Sequence, residues 1–195
     1  MADRKTNDAT LREAGELIHT RLSDKRYAHT LRVVETVERL AALHGLDEYR
    51  TRLAALLHDA AREMGAEEFL RLAEEWNLPV GEPERKSPML LHGPVAAEMA
   101  RRELSIEDGE VLEAIRVHTT GAPEMGLVAL AVYVADAIEP GRAYPSVGHL
   151  RKLAEEDLQD AAAEALRRDV AHDEERGRET HPVSRETLRW LESQS

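Results

Sequence analysis

Residues 127–139 read LVALAVYVADAIE, and Asp136 is the only charged residue before the last position of the stretch. A segment that is apolar on all sides predicts a buried helix at the centre of the fold. Pro140 and Gly141 follow at once and predict its end. Because Asp is rarely buried without a partner, Asp136 is a candidate functional residue.

The segments on either side of this stretch have the apolar spacing of amphipathic helices, and no run alternates as a strand would. Ser23 is a predicted N-cap of a helix that ends at Gly45, and Asp47 is a predicted N-cap of the next helix, which ends near Gly65. Aromatic residues make up only 4% of the chain, so Leu, Ala and Val must fill the core. These features predict an all-α fold.

Two further features concern the ends and the interior of the chain. Thr10 and Glu13 have the spacing of a capping box at the start of a first helix. Residues 78–88, LPVGEPERKSP, contain three prolines and a glycine, which predicts a loop without regular structure and a candidate lid. We expect one compact helical domain over residues 1–195, with peripheral helices at both ends.

Composition excludes several classes of function. The net charge is −12, so the chain has no general basic character for binding nucleic acid. It has no cysteine, which rules out thiolate metal sites, disulfides and thiol nucleophiles. The N-terminal residues lack an apolar signal-peptide core, and the longest apolar stretch is too short to cross a bilayer. We therefore expect a cytoplasmic protein that does not bind membranes.

The pair His58-Asp59 follows directly on the apolar residues Leu56 and Leu57. A buried imidazole beside a buried carboxylate is costly unless both are paired or bind a metal ion. The alternative is a helix whose polar edge begins at His58. Further polar residues also stand beside or within apolar segments: His29, His92, His118 and Asp136.

Taken together, these six residues indicate one metal-binding purpose. Neutral imidazoles with carboxylates suit iron, manganese, zinc and related ions. Six ligands exceed what one catalytic ion takes while leaving a place for water, so we interpret them as a two-metal site. The other five histidines are expected on solvated faces or in turns: His19, His44, His149, His172 and His181.

The order of these residues resembles the H…HD…D set of the HD-domain phosphohydrolase superfamily, whose members are all-helical. The additional histidines between the HD pair and the last Asp make the pattern similar to that of the two-metal branches of this superfamily. The fit is closer still to one of them, the YqeK-type symmetrical diadenosine tetraphosphate hydrolases. The segments that carry the resemblance lie within residues 23–191: RYAHTLRV from Arg26, ALLHDAAR from Ala55, LLHG from Leu90, HTTG from His118, ADAIEPGR from Ala135 and HPVSRETLRWL from His181.

The resemblance implies an HD-domain helical bundle that cleaves diadenosine tetraphosphate (Ap4A) into two ADP. It implies two divalent or trivalent metal ions, mostly iron in the family, with manganese, cobalt or magnesium as alternatives. A metal-bridging hydroxide would attack the polyphosphate. The implied ligands are His29, His58, Asp59, His92, His118 and Asp136, with Asp59 between the two ions.

One position departs from the family pattern, because Arg62 stands where the family usually has lysine. Both are cationic, but arginine presents a planar fork and lysine a point charge. We expect Asp59 and Arg62 to act in catalysis. Phosphate contacts are expected from Arg62, Lys86, Thr119, Thr120 and Arg142, although without the resemblance Arg142 could equally be a surface charge.

Other functions remain alternatives. One is a different HD specificity, such as a nucleotidase, a deoxynucleoside triphosphatase or an alarmone hydrolase. Another is a non-catalytic nucleotide-binding protein, and a third is a purely structural metal site. The expected partner is a small dinucleoside polyphosphate or nucleotide. The acidic C-terminal helices are either solvent-facing or the contact of a homodimer.

Overall fold

A computed structural model describes residues 4 to 194, and that part of the chain contains helices but no β-strand. The all-α prediction is therefore confirmed. The single domain over residues 1–195 stays a prediction, and residues 1–3 and 195 lie outside the described part. The helices are α1 (Arg4–Arg21), α2 (Asp24–His44), α3 (Glu48–Leu57), α4 (Ala66–Glu75), α5 (Glu82–Lys86), α6 (His92–Glu103), α7 (Gly109–Val117), α8 (Leu127–Ile138), α9 (Val147–Glu156), α10 (Leu158–Glu175) and α11 (Pro182–Glu192), with a 3₁₀ turn at Pro88–Leu91.

Helix α8 lies at the centre of the fold, as its apolar sequence predicts. Every residue from Val128 to Ala135 is buried, and the helix packs against α2, α3, α7 and α10. Burial on all sides explains why the segment has no polar face. Among the described residues, no helix is both long enough and apolar enough to span a bilayer.

Two predicted caps hold the helices that lead to the site. The Ser23 hydroxyl accepts a hydrogen bond from Arg26 N at 3.4 Å, and Asp47 Oδ1 accepts one from Arg50 N at 2.9 Å. Between them, Gly45 ends α2 in the left-handed region at φ 66°, where a side chain would be strained. These caps are confirmed, and they fix where α2 and α3 begin.

Two other local predictions are wrong. The first helix already includes Arg4, and the Thr10 hydroxyl donates to Thr6 O at 3.1 Å inside the helix instead of capping it. The segment predicted as an irregular loop contains helix α5, with Pro83 in its first turn, where proline is tolerated. Glu84 accepts from Gly81 N at 2.7 Å and closes that turn.

Candidate metal centre and adjoining cleft

Five elements bring the six predicted metal ligands together. The four histidines and Asp59 are buried, and the Asp136 side chain is 25% exposed. The ligands and their elements are His29 on α2, His58 and Asp59 in the turn after α3, His92 at the start of α6, His118 at the end of α7 and Asp136 near the end of α8.

Three of these histidines are oriented in the same way by their own local backbone. In each, ring Nδ1 donates to the carbonyl oxygen three residues earlier. Because a carbonyl oxygen only accepts hydrogen bonds, Nδ1 must carry the proton. In the neutral ring, Nε2 then has a lone pair and no hydrogen. The pairs are His58 with Ala55 at 2.7 Å, His92 with Met89 at 2.6 Å and His118 with Ile115 at 2.8 Å.

The same bond explains why α3 ends at Leu57 and not near Gly65 as predicted. The His58 ring donates a hydrogen bond to a backbone carbonyl of the last turn of α3. After this point the chain forms tighter turns with hydrogen bonds between residues three apart, such as the bond from Arg62 N to Asp59 O at 2.8 Å. This change of geometry turns both His58 and Asp59 toward the cluster.

His29 is oriented by a carboxylate that the sequence did not single out. Its Nδ1 lies 3.1 Å from Oε1 of Glu139, which is buried at 2% exposure. Glu139 also accepts from Arg32 Nε at 2.6 Å and from Gly141 N at 2.5 Å. These bonds hold the pKa of Glu139 below its usual value, although burial alone would raise it. A charged Glu139 therefore keeps the proton of His29 on Nδ1.

Two of the inward-facing Nε2 atoms have no hydrogen bond, and the other two face one another beside the Thr119 hydroxyl. Nε2 of His58 is buried without a hydrogen bond. Nε2 of His29 lies 3.1 Å from Asp136 Oδ1 without hydrogen-bond geometry, and Nε2 atoms of His92 and His118 lie 2.9 Å apart. Lone pairs that face one another or a carboxylate are stabilised by a shared cation. The donor set therefore fits a metal ion, as does its imidazole and carboxylate chemistry.

Asp59 lies between two groups of these nitrogens. Its Oδ2 is 3.5 Å from His58 Nε2 and 3.8 Å from His29 Nε2. Its Oδ1 is 3.4 Å from His92 Nε2 and 3.7 Å from His118 Nε2. Each carboxylate oxygen thus faces a different pair of histidines.

The pKa values of the cluster follow from its burial and charges. Burial alone would raise the pKa of Asp59, but the neighbouring His58 and His118 hold it far below its usual value. Burial also opposes ionisation of Asp136, yet His29, His58 and Arg142 lower its pKa. Burial lowers the pKa of His92 to about 3, so that ring is neutral at pH 7. The cluster therefore combines charged carboxylates with at least one neutral imidazole.

Three arginines reach the carboxylates of the cluster. Arg26 Nη1 lies 2.9 Å from Asp59 Oδ2, and Arg62 Nε lies 3.8 Å from Asp59 Oδ1. Arg142 Nη2 lies 2.6 Å from Asp136 Oδ1. Each side chain is about a third exposed, and each guanidinium has more N–H groups than these contacts use.

A cleft of about 820 Å³ adjoins the cluster beside His92. Among the predicted phosphate contacts, Arg62, Thr119, Thr120 and Lys86 line it. Lys86 lies at its rim and pairs with Glu82 at 2.9 Å and Glu179 at 3.4 Å rather than with a residue of the cluster. Arg142 is not among the lining residues.

Residues of α10 and of the segment before α11 also line the cleft. Asp169 of α10 is one of them, and Tyr133 of α8 donates its hydroxyl to Asp169 Oδ2 at 3.4 Å. His181, predicted as a turn residue, instead bonds Glu84 of α5 at 2.9 Å and accepts from Val183 N at the start of α11. That bond connects α5 to the start of α11.

Comparison with known proteins identifies the family. A family model described as the HD domain matches residues 26–141, which include all six predicted ligands. The chain belongs to the HD-domain family. The resemblance predicted from the His and Asp residues is confirmed, and with it an HD-domain enzyme fold and a metal-dependent chemistry.

Curated relatives of this HD-domain protein are named symmetrical bis(5′-nucleosyl)-tetraphosphatases. The protein from Bacillus subtilis is 36% identical over 183 residues, covering 94% of this chain and 98% of the relative. The protein from Halalkalibacterium halodurans is 40% identical over 154 residues, covering 79% of this chain and 82% of the relative.

A solved structure has the same fold along nearly the whole chain. It is a Clostridium acetobutylicum protein described as an HD superfamily hydrolase involved in NAD metabolism, with a TM-score of 0.91 and 33% identity. The match covers 94% of this HD-domain chain and 97% of that one. The fold expected from the resemblance is therefore confirmed.

Gly93 allows the close approach that brings His92 to His118. A Cβ on Gly93 would lie 2.6 Å from Arg116 O and 3.2 Å from Ile115 O, so α6 and α7 would have to separate. We expect Gly93→Ala to lower the free energy of unfolding by about 1–3 kcal/mol, measured by urea denaturation. Gly109→Ala is the control, because a Cβ there meets open space. Equal unfolding midpoints for the two variants would contradict this packing.

Proposed function

We propose that this HD-domain protein hydrolyses dinucleoside tetraphosphates, and that it cleaves Ap4A symmetrically into two molecules of ADP. The observation that carries the proposal is the position of Asp59, whose two oxygens face two separate pairs of histidines. The names of the curated relatives support the substrate.

The proposed cofactor is a pair of metal ions. One would be held by His29, His58 and Asp136 with Asp59 Oδ2, and the other by His92 and His118 with Asp59 Oδ1. We propose iron, with manganese, cobalt and magnesium as alternatives. When bound, such ions supply an activated water for attack on phosphorus and neutralise charge on the phosphoryl oxygens.

The chain's own residues position the polyphosphate and set the charge of the site. The ionised Asp59 carboxylate lies between the two groups of histidines and would keep them at a fixed distance from each other. Arg62 lines the cleft on the side of Asp59 Oδ1 and would donate hydrogen bonds to phosphate oxygens. The Thr119 hydroxyl, which lies 3.2 Å from His92 Nε2, would be a second, neutral donor.

The adjoining cleft would accept one nucleoside. Arg62 lines it beside Asp59, and two carboxylates also line it: Asp169, which pairs with Arg168, and Asp173, which pairs with Arg178 at 3.0 Å. Ribose hydroxyls and base N–H groups can donate to such carboxylates, whereas Arg62 can donate to phosphate oxygens. We therefore propose that a nucleotide binds with its phosphates beside Arg62 and the histidines. We propose a small-molecule substrate and no nucleic-acid partner for this site.

The test is a product analysis with defined metals. Protein freed of metal by chelation would be reloaded separately with iron under anaerobic conditions, manganese, cobalt and magnesium, and incubated with Ap4A. We expect ADP as the sole nucleotide product, loss of turnover in chelator, and recovery on reloading.

Two results would overturn the proposal. ATP and AMP as products would mean asymmetric cleavage, and no cleavage with any of the four metals would remove Ap4A as the substrate. In either case a panel of nucleoside triphosphates, deoxynucleoside triphosphates, monophosphates and guanosine alarmones would identify which other phosphate ester the site cleaves.

A further inference from the structure

The three arginines that reach the cluster lie on two different flanks of Asp59. Arg62 approaches Oδ1 and lines the cleft. Arg26 approaches Oδ2, on the side of His29, and is not among the residues that line the cleft. Arg142 pairs with Asp136 on that same second flank. Cationic donors therefore flank the cluster on both sides.

A substrate cut in the middle needs such an arrangement. In Ap4A, two phosphates and a nucleoside lie on each side of the central bridging oxygen. With that oxygen at the cluster, one half extends into the cleft past Arg62. The other half must leave the cluster in a different direction, and its two phosphates need cations of their own.

The Arg26 side chain is placed to supply them. It is 31% exposed, and its Nη1 contacts Asp59 at 2.9 Å, which leaves other N–H groups of its fork for a phosphate. The nearby carboxylate of Glu63 is already bound to the Ser23 hydroxyl at 2.6 Å and to Ser23 N at 2.5 Å. Arg26 is thus directed to the cluster and not toward Glu63.

We propose that Arg26 binds the phosphates of the second nucleotide half, on the flank opposite the cleft. It would thereby favour a substrate with nucleotides on both sides of the scissile bond. This inference rests on the proposed function. It assigns to each half of the substrate its own arginine, Arg62 for the half in the cleft and Arg26 for the half outside it.

The test compares a two-sided ligand with a one-sided one on the metal-loaded protein. For Arg26→Ala we expect kcat/KM for Ap4A to fall about 10- to 100-fold, mainly through KM. The affinity for ADP, which fills only the cleft half, should change less than about twofold, and metal content should be unchanged. Arg62→Ala should weaken both ligands. Arg26→Lys should restore part of the loss, and Arg39→Ala, an exposed arginine on the same helix, is the charge-matched control.

Each other outcome has a definite meaning. If the unmodified protein does not cleave Ap4A, the proposed function fails and this inference fails with it. If the unmodified protein cleaves Ap4A and Arg26→Ala keeps its KM, only the role of Arg26 is overturned. Equal loss of ADP and Ap4A binding would overturn the assignment of flanks. Loss of bound metal would show that Arg26 acts by supporting Asp59.

Discussion

Replacing Asp59 by asparagine is expected to lower kcat/KM for Ap4A by at least about 1,000-fold. The amide is neutral and has one acceptor oxygen, so its NH₂ group must face either the pair His29 and His58 or the pair His92 and His118. In either orientation, the Nε2 atoms of one pair of histidines face the NH₂ group of the asparagine instead of a carboxylate oxygen that can bind a cation. The measurements are steady-state kinetics and metal content per chain.

The matched control is Asp24→Asn, which removes the same charge from an exposed position on α2. It should leave turnover and metal content unchanged within about twofold. Circular dichroism of the Asp59 variant should retain the helical signal, because the N-caps of α2 and α3, Ser23 and Asp47, do not involve Asp59. An Asp59→Asn enzyme with more than a tenth of normal activity would mean that the cluster is not the active centre.

Glu139→Gln is expected to weaken metal binding about 10- to 100-fold at the group that contains His29. Glutamine can still accept from His29 Nδ1, but without the charge that favours this tautomer. Its NH₂ group would then face the N–H donors of Arg32 Nε and Gly141, which now donate to Oε2. The measurement is competition against a chelator with optical detection of bound cobalt, which reports binding without requiring activity. The group with His92 and His118 should bind as before.

Two variants make that result specific. Glu35→Gln, an exposed glutamate on α2, should bind metal like the unmodified protein. Glu139→Asp keeps the charge and should recover part of the affinity. Equal weakening of both groups would indicate general disturbance of the fold, and unchanged affinity would mean that Glu139 does not position His29.

Features encoded by neighbouring residues could be predicted from the sequence. Ser23 and Asp47 cap helices by accepting hydrogen bonds from backbone N–H groups three residues later. The uninterrupted apolar sequence of α8 is sufficient to predict that this helix is buried. Thr10 misled because a hydroxyl can bond within a helix as well as cap one. The proline-rich loop misled because Pro83 is compatible with the first turn of α5.

The candidate ligands were found because polar residues beside apolar ones are conspicuous. Glu139 and Arg26 were not found, because their roles depend on partners that are distant in sequence. Glu139 meets His29 across 110 positions and Arg32 across 107, while Arg26 meets Asp59 across 33. The available signal for Glu139 was a carboxylate at the end of the apolar helix, three residues after Asp136, which was interpreted only as part of a helix stop.

Anomalous diffraction from crystals of the iron-loaded protein, recorded at the iron absorption edge, locates bound iron directly. We expect two peaks per chain, one on either side of Asp59. One should lie among His29, His58 and Asp136, and the other beside His92 and His118. A single peak, or peaks that do not share Asp59, would contradict the two-metal centre.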